Sequence, residues 1–141
     1  MLRKNKLMLS VLGVLLISGV AYAALCSTGQ MLYSKYQNSS GPASYALGQK
    51  YIAEYAKNTA YAEYTSWQLA VVGHLQQHGN CDGYCPTMQS LQASLGAAYT
   101  NWQSKVADYE FWCVVYDALY AINLTDYTNW TNHRFSCSIC P

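Results

Sequence analysis

The chain has 141 residues, a formal net charge of +1 and only 11% charged residues, against ~25% in an ordinary soluble domain. Its length suits one domain, and its near-neutral charge excludes electrostatic binding to nucleic acid or anionic lipid. The sequence contains 14 tyrosines and 2 phenylalanines, so most of its aromatic side chains have a polar tip that suits contact surfaces. Alternatively, most of these tyrosines line helix–helix contacts and keep their hydroxyls in water.

The N-terminus has the pattern of a cleaved secretory signal peptide. Arg3, Lys4 and Lys6 form a basic start, an apolar run follows over 7–20, and Ala-Tyr-Ala at 21–23 supplies the small residues that signal peptidase needs. The apolar run is shorter than the ~20 residues that cross a bilayer, so a retained anchor is the less favoured alternative. We therefore predict a periplasmic or extracellular protein, with no stable membrane anchor after cleavage.

All six cysteines remain in the exported chain, and an even number in an oxidising compartment predicts disulfides. They are Cys26, Cys81, Cys85, Cys113, Cys137 and Cys140. Cys26 and Cys113 are the expected pair, because both fall near the open end of the predicted hairpin. The other four either pair within the two short motifs or join the tail to the hairpin tip. We favour the second arrangement, because it orders a tail that has few apolar contacts.

The first predicted long helix runs from residue 43 to about 78, after a loop at Ser-Ser-Gly-Pro (39–42). Its stripe, continuous apart from Asn58, has spacings of three and four and consists of Tyr51, Tyr55, Asn58, Ala62, Thr65, Leu69 and Val72. Four alanines keep the helix slim, so that a partner helix can approach closely: Ala53, Ala56, Ala60 and Ala70. Gly79 suits a C-terminal cap.

The second predicted helix starts at Pro86, because proline suits the first helical position, and it ends near Asn123. Its stripe is Met88, Leu91, Leu95, Ala98, Trp102, Val106, Tyr109, Cys113, Tyr116 and Tyr120. A short helix through Trp130 is possible in the tail, and no internal repeat is expected beyond the helical period. We predict an all-α protein, an antiparallel helical hairpin or small bundle with disulfide-stapled terminal segments. Its segments are a signal peptide (1–23), an N-terminal segment (24–43), the hairpin (44–122) and a cysteine-containing tail packed on the hairpin (123–141).

Four residues at the hairpin tip have the spacing of a metal site: His74, His78, Cys81 and Cys85. On a continuous helix they would share one face and suit a tetrahedral zinc ion. Gly79 and Gly83 should break that helix, so a disulfide-stapled turn is favoured, with the histidines near the negative end of the helix dipole. We predict no metal ion and no cofactor, and we keep these four residues as alternative ligands.

Other catalytic patterns are weaker still. Cys137 and Cys140 have the spacing of a redox pair, but the strand–helix unit that usually lowers the thiol pKa is missing. Glu54 and Glu63 are expected on the solvated surface, whereas a glycosidase needs a carboxyl group in an apolar pocket. Neither a Gly-x-Ser-x-Gly elbow nor a phosphate-binding glycine loop is present. We therefore predict no catalytic residue.

The favoured function is that of an exported, disulfide-stabilised, non-enzymatic interaction or structural protein of the bacterial cell envelope. It would present Tyr- and Trp-rich surface to an envelope or surface protein, or to another copy of itself. One setting that fits this function is an accessory subunit of a secretion, conjugation or filament assembly. The alternatives are a small metal-binding protein that uses the His/Cys cluster and a small envelope glycan hydrolase.

Overall fold

A computed structural model describes residues 2–79 and 85–137, with side chains described from residue 27 onward. These residues form two helices, α1 over Leu2–His78 and α2 over Pro86–Ser136, and they contain no strand. The all-α prediction is confirmed, and the two long helices are consistent with the predicted hairpin. No helical stretch in this described part of the chain is both long and apolar enough to span a membrane.

The end of α1 and the start of α2 agree with the sequence. Gly79 adopts a φ of 67°, in the left-handed region that glycine occupies without strain. Its N–H donates to the Leu75 carbonyl at 2.9 Å. Pro86 is the first residue of α2, and the Gln89 N–H donates to the Cys85 carbonyl at 3.1 Å. The glycine cap and the proline start are therefore both confirmed.

Both helices are longer than the sequence predicts. α1 continues through 39–42, where a loop is expected, and α2 continues well past Asn123. Pro42 lies inside α1, and a proline in a helix interior costs ~3 kcal/mol. Contacts on both sides of Pro42 help to offset this cost, because Ala43 is buried and the Asn123 amide donates to Ser39 Oγ at 3.2 Å.

The chain divides into two compact units, each made of one stretch of α1 and one stretch of α2. We call Ser44–Ala118 the central unit, and Met1–Ala43 together with Leu119–Pro141 the terminal unit. The residues around the expected cleavage site after residue 23 have side chains outside the described set. Cleavage therefore stays a prediction.

In the central unit, α1 and α2 run antiparallel. Tyr45 contacts Trp112 and His74 contacts Cys85, so the residue numbers fall along α2 as they rise along α1. The buried side chains are all small or flexible: Ala46, Ala53, Ala60, Met88 and Ala98. Small residues at a helix contact allow a short interaxial distance, as expected for this alanine-rich helix. Among the described residues no large side chain is fully buried.

The helices of the terminal unit are antiparallel as well. Tyr33 contacts Trp130, with ring centroids 5.1 Å apart, and farther along α1 Ser39 contacts Asn123. The Asn123 Nδ2 group also donates to the Tyr36 carbonyl at 3.5 Å. Thus one amide from α2 bonds to the Ser39 side chain and to the Tyr36 backbone of α1, three and six residues before the proline.

Candidate functional site

Four aromatic side chains join the two helices of the central unit. We call them the central clamp: Tyr61, Tyr64, Tyr99 and Trp102. Tyr64 and Trp102 stack with ring centroids 5.7 Å apart and planes 6° apart, and Tyr61 meets Trp102 at 5.4 Å. Gln68 Nε2 donates to the Tyr64 hydroxyl at 2.7 Å. The clamp supplies apolar contact between the helices while its polar tips stay hydrogen-bonded at the edge.

The terminal unit contains an equivalent cluster, the terminal clamp: Tyr33, Tyr36, Tyr127 and Trp130. Tyr36 and Trp130 stack with centroids 5.6 Å apart and planes 1° apart. Tyr127 meets Tyr36 at 5.4 Å, and the Arg134 guanidinium lies 5.7 Å from the centroid of the Trp130 ring. One stacked Tyr–Trp pair thus links α1 to α2 in each unit.

The two clamps come from a sequence repeat. α2 carries Tyr-Thr-Asn-Trp at 99–102 and again at 127–130, and α1 carries Tyr-x-x-Tyr at 33–36 and at 61–64. Both motifs recur after 28 residues (99 to 127 and 33 to 61), which is four heptads. The expectation that the chain has no internal repeat is therefore wrong. Comparing the sequence with itself would have found the identical tetrapeptides.

The central unit of α1 has a second stripe on the face turned away from α2. It is the stripe predicted from the spacing, and we call it the outer seam: Tyr51, Tyr55, Asn58, Ala62, Thr65, Leu69 and Val72. Tyr55 is 76% exposed and Leu69 is 72% exposed, whereas Ala53 and Ala60 are buried. α1 therefore uses its alanine face against α2, and its most continuous apolar stripe faces solvent.

The outer seam has the spacing of a coiled-coil contact. Its residues are separated alternately by four and three positions over 51–72, which is an unbroken heptad pattern and favours packing against another helix. None of the seven seam side chains is charged at neutral pH. The heptad positions that flank the seam contain a single charged residue, Glu54. Such a stripe is suited to bind a helix rather than a small polar ligand.

Lysines of α1 lie over tyrosine rings of α2 in the same unit. The Lys57 ammonium is 3.9 Å from the centroid of the Tyr109 ring, a distance typical of a cation–π contact. The hydroxyl of Tyr109 is hydrogen-bonded to Cys113. That bond and the charge of Cys113, with smaller contributions from burial and from Glu54, raise the pKa of Tyr109 above its usual 10.0. The phenol therefore stays neutral where it meets α1.

The structure places His74 near two of the other three candidate metal ligands, His78 and Cys85. His74 Nε2 lies 3.3 Å from Cys85 Sγ, and the rings of His74 and His78 are 4.7 Å apart. Cys81 lies outside the described residues. Within 27–79 and 85–137, no group of three His, Cys, Asp or Glu side chains could hold a metal ion. A metal site at the tip therefore stays a prediction.

No disulfide joins two cysteines within the part of the chain that is described. Cys113 is a half-buried free thiol beside Tyr109, so the predicted link from Cys26 to Cys113 has no support here. Cys137 is buried at the end of α2. The side chains of Cys26, Cys81 and Cys140 lie outside the described residues. Stapling of the terminal segments by disulfides therefore also stays a prediction.

The acidic side chains give no sign of a hydrolytic centre. Over residues 27–79 and 85–137, no charged side chain is buried, and Glu63 is exposed. Asp108 forms a solvent-exposed ion pair with Lys105 at 3.4 Å. A glycan hydrolase needs a carboxyl group held in apolar surroundings, so none of these contacts supports that alternative.

Comparison with known proteins identifies no relative. No family model, no curated protein and no solved structure matches the chain. Among the described residues, the outer seam is an exposed stripe at heptad spacing, and it is the feature from which we infer a function.

Proposed function

We propose that the protein is a non-enzymatic structural or interaction protein of the bacterial cell envelope, which binds a partner helix along its outer seam. The observation that carries the proposal is the exposure of an uninterrupted heptad stripe. Soluble proteins rarely leave a continuous apolar surface open unless it binds something. Here the stripe includes Tyr55 and Leu69, both more than 70% exposed.

The composition of the surface supports binding rather than catalysis. Tyrosine provides a large rigid contact area with little side-chain entropy to lose, and Tyr51 and Tyr55 stand at one end of the seam. At the other end Leu69 and Val72 offer aliphatic contact. A helix with apolar residues at heptad spacing would fit between these ends, and its recognition would depend little on salt because the seam is uncharged.

Export and disulfide formation are part of the same proposal. They are supported by the basic start, the apolar run and the Ala-Tyr-Ala site within residues 1–23, and by the even number of cysteines. In an oxidising compartment, cross-links would stabilise a hairpin whose buried side chains are mostly alanines. An accessory subunit of a secretion, conjugation or filament assembly fits this description.

A second candidate is a small metal-binding protein, favoured by one observation. The approach of His74 Nε2 to Cys85 Sγ places a nitrogen and a sulfur ligand side by side, the donor types that zinc prefers. Metal analysis of protein purified without chelators tests this candidate. One bound ion per chain that is lost in His74→Ala protein supports it, and protein without metal eliminates it.

Cross-linking in the envelope tests the main proposal. Cells exporting the tagged chain are treated with formaldehyde, and wild type is compared with Leu69→Glu and with the control Val114→Glu. Val114 is 69% exposed on α2, so the control adds the same charge at similar exposure. We expect a cross-linked species that Leu69→Glu loses and Val114→Glu keeps. Equal cross-linking of all three proteins would contradict binding at the seam.

A further inference from the structure

We infer that the helix bound to the outer seam is the same seam of a second copy of this chain, so that the protein is an antiparallel two-fold dimer. The inference rests on the proposed use of the seam as a binding surface and names its occupant. α1 contacts α2 of its own chain through its alanine face. Within 27–79 and 85–137, six of the seven seam side chains are exposed, so the seam can accept a helix of another molecule.

The order of residue types along the seam is the same in both directions from Ala62. The next seam residue on each side is polar, Asn58 or Thr65. The one after it is large and apolar on each side, Tyr55 or Leu69. The seam ends in an apolar residue on both sides. An antiparallel second copy therefore brings large apolar residues against large apolar residues and polar residues against polar ones. A surface that is complementary to itself is what a two-fold dimer requires, and such dimers are the commonest protein oligomers.

The exposed area is large enough for a stable dimer. Six large side chains on or beside the seam are about half exposed or more: Tyr51, Ile52, Tyr55, Tyr61, Leu69 and Val72. At ~200 Å² for each tyrosine and on the order of 130 Å² for each aliphatic side chain, their exposed parts amount to roughly 600 Å² per copy. A standard interface buries ~800 Å² per partner. The seam and its flanks thus provide most of the area of such an interface.

Charges along the interface are compatible with self-association. Glu54 is the one charged residue at the flanking heptad positions, and in the antiparallel arrangement it stands closest to Gln68 of the second copy. No like charges meet, so there is no electrostatic penalty of the kind that prevents wrong pairing. Asn58 and Thr65, the polar residues inside the seam, would fix the register, as buried polar residues do in coiled coils.

Sedimentation equilibrium of the purified chain, with its cysteines in the state in which it was isolated, tests the inference. Non-reducing gel electrophoresis of the same sample excludes dimers that are joined by disulfides. We expect twice the chain mass for wild type and for Val114→Glu. In Leu69→Glu the dimer should dissociate on the order of 10²–10³ times more readily, because each dimer loses two buried leucines. A wild type that is monomeric over the whole concentration range, or equal weakening by both substitutions, would overturn the inference.

Site-directed cross-linking tests the orientation. Under mild oxidation Ala62→Cys should produce a covalent dimer that is absent from wild type, because the two copies meet at this position on the two-fold axis. In Tyr51→Cys protein the two thiols would lie at opposite ends of the antiparallel interface, so this variant should not form the covalent dimer. A covalent dimer of Tyr51→Cys protein would overturn the antiparallel arrangement.

The two proposals can fail separately. If the purified chain is monomeric but cross-linking in the envelope still depends on Leu69, the seam binds another protein and only the dimer is wrong. If the purified chain is a seam-dependent dimer but forms no seam-dependent product in the envelope, the proposed envelope function is wrong and the dimer stands.

Discussion

The central and terminal units contain the same aromatic clamp, but the surfaces around the two clamps differ. In both units a Tyr–Trp stack links α1 to α2 at nearly the same distance, 5.7 Å in one and 5.6 Å in the other. Near the terminal clamp α1 contains Pro42, and the Asn123 amide of α2 donates to Ser39 and Tyr36 of α1. Around the central clamp α1 has a close alanine face and an open seam. The comparison teaches that the same clamp can join two helices in different surroundings, with an exposed apolar stripe beside it in the central unit and a polar contact beside it in the terminal unit.

The largest expected effect comes from removing the tryptophan of either clamp. Trp102→Ala and Trp130→Ala should each lower the free energy of unfolding by about 2–4 kcal/mol, somewhat below the range for fully buried tryptophans because both are half-buried. Urea unfolding followed by circular dichroism measures the change. Phe135→Ala is the control, because Phe135 is 86% exposed and its loss should change the value by less than about 0.5 kcal/mol.

Similar decreases in the free energy of unfolding for Trp102→Ala and Trp130→Ala would show that the two clamps contribute equally to stability. A loss at one tryptophan as small as at Phe135 would show that its cluster contributes little to folding. The repeated sequence would then have different roles in the two units.

A smaller effect is expected from the polar contact that distinguishes the terminal unit. Asn123→Ala removes the bonds to Ser39 and Tyr36 and should lower the free energy of unfolding by about 0.5–1.5 kcal/mol. The matched control is Asn129→Ala on the same helix, where the side chain is exposed. Equal stability of the two variants in urea would mean that the amide does not help α1 to continue through Pro42.

The smallest expected effect is a pH effect confined to the central unit. The pKa of Tyr109 is raised above 10.0 chiefly by its bond to Cys113. The raised pKa favours the neutral phenol in the folded chain, so the stability from this contact is present below pH 10 and is lost as pH rises through the raised value. Cys113→Ala should move one tyrosine to lower pH in a titration followed by absorbance of tyrosinate.

Tyr109→Phe is the control for that titration, because it removes the late-titrating group altogether. If wild type and Cys113→Ala protein give the same curve, the thiol does not determine the ionisation of Tyr109. The raised pKa of Tyr109 would then come from its burial and from Glu54.

The helical character of the chain, the end of α1 and the start of α2 could be predicted from the sequence, because they depend on local chemistry. Gly79 and Pro86 have conformational preferences that act within a few residues. The continuation of α1 through Pro42 could not be predicted in the same way. The contacts beside Pro42 come from Asn123, 81 residues later by number (42 to 123), which bonds to Ser39 and Tyr36, and tertiary contacts of this kind can override local propensity.

The residues of the outer seam could be predicted from their spacing, but their exposure to solvent could not. The spacing from Tyr51 to Val72 indicates a helical stripe, yet spacing alone does not determine which of two stripes faces the neighbouring helix. The small side chains of Ala53 and Ala60 allow the closer approach, so that face is buried and the larger residues are left outside. Predicting this choice requires comparing how closely the helices pack on each face.

The buried alanine face also constrains how the sequence can diverge. At Ala46, which is 0% exposed, and at Ala60, a descendant protein could accept glycine or serine but no branched or aromatic residue without separating the helices. Side chains on the opposite face, such as Tyr55 and Leu69, are more than 70% exposed, so substitutions there would leave the packing of α1 on α2 intact. Lineages of this protein would therefore keep the alanine side of α1 nearly invariant in size, whereas any constraint on the seam side would come from the partner proposed above.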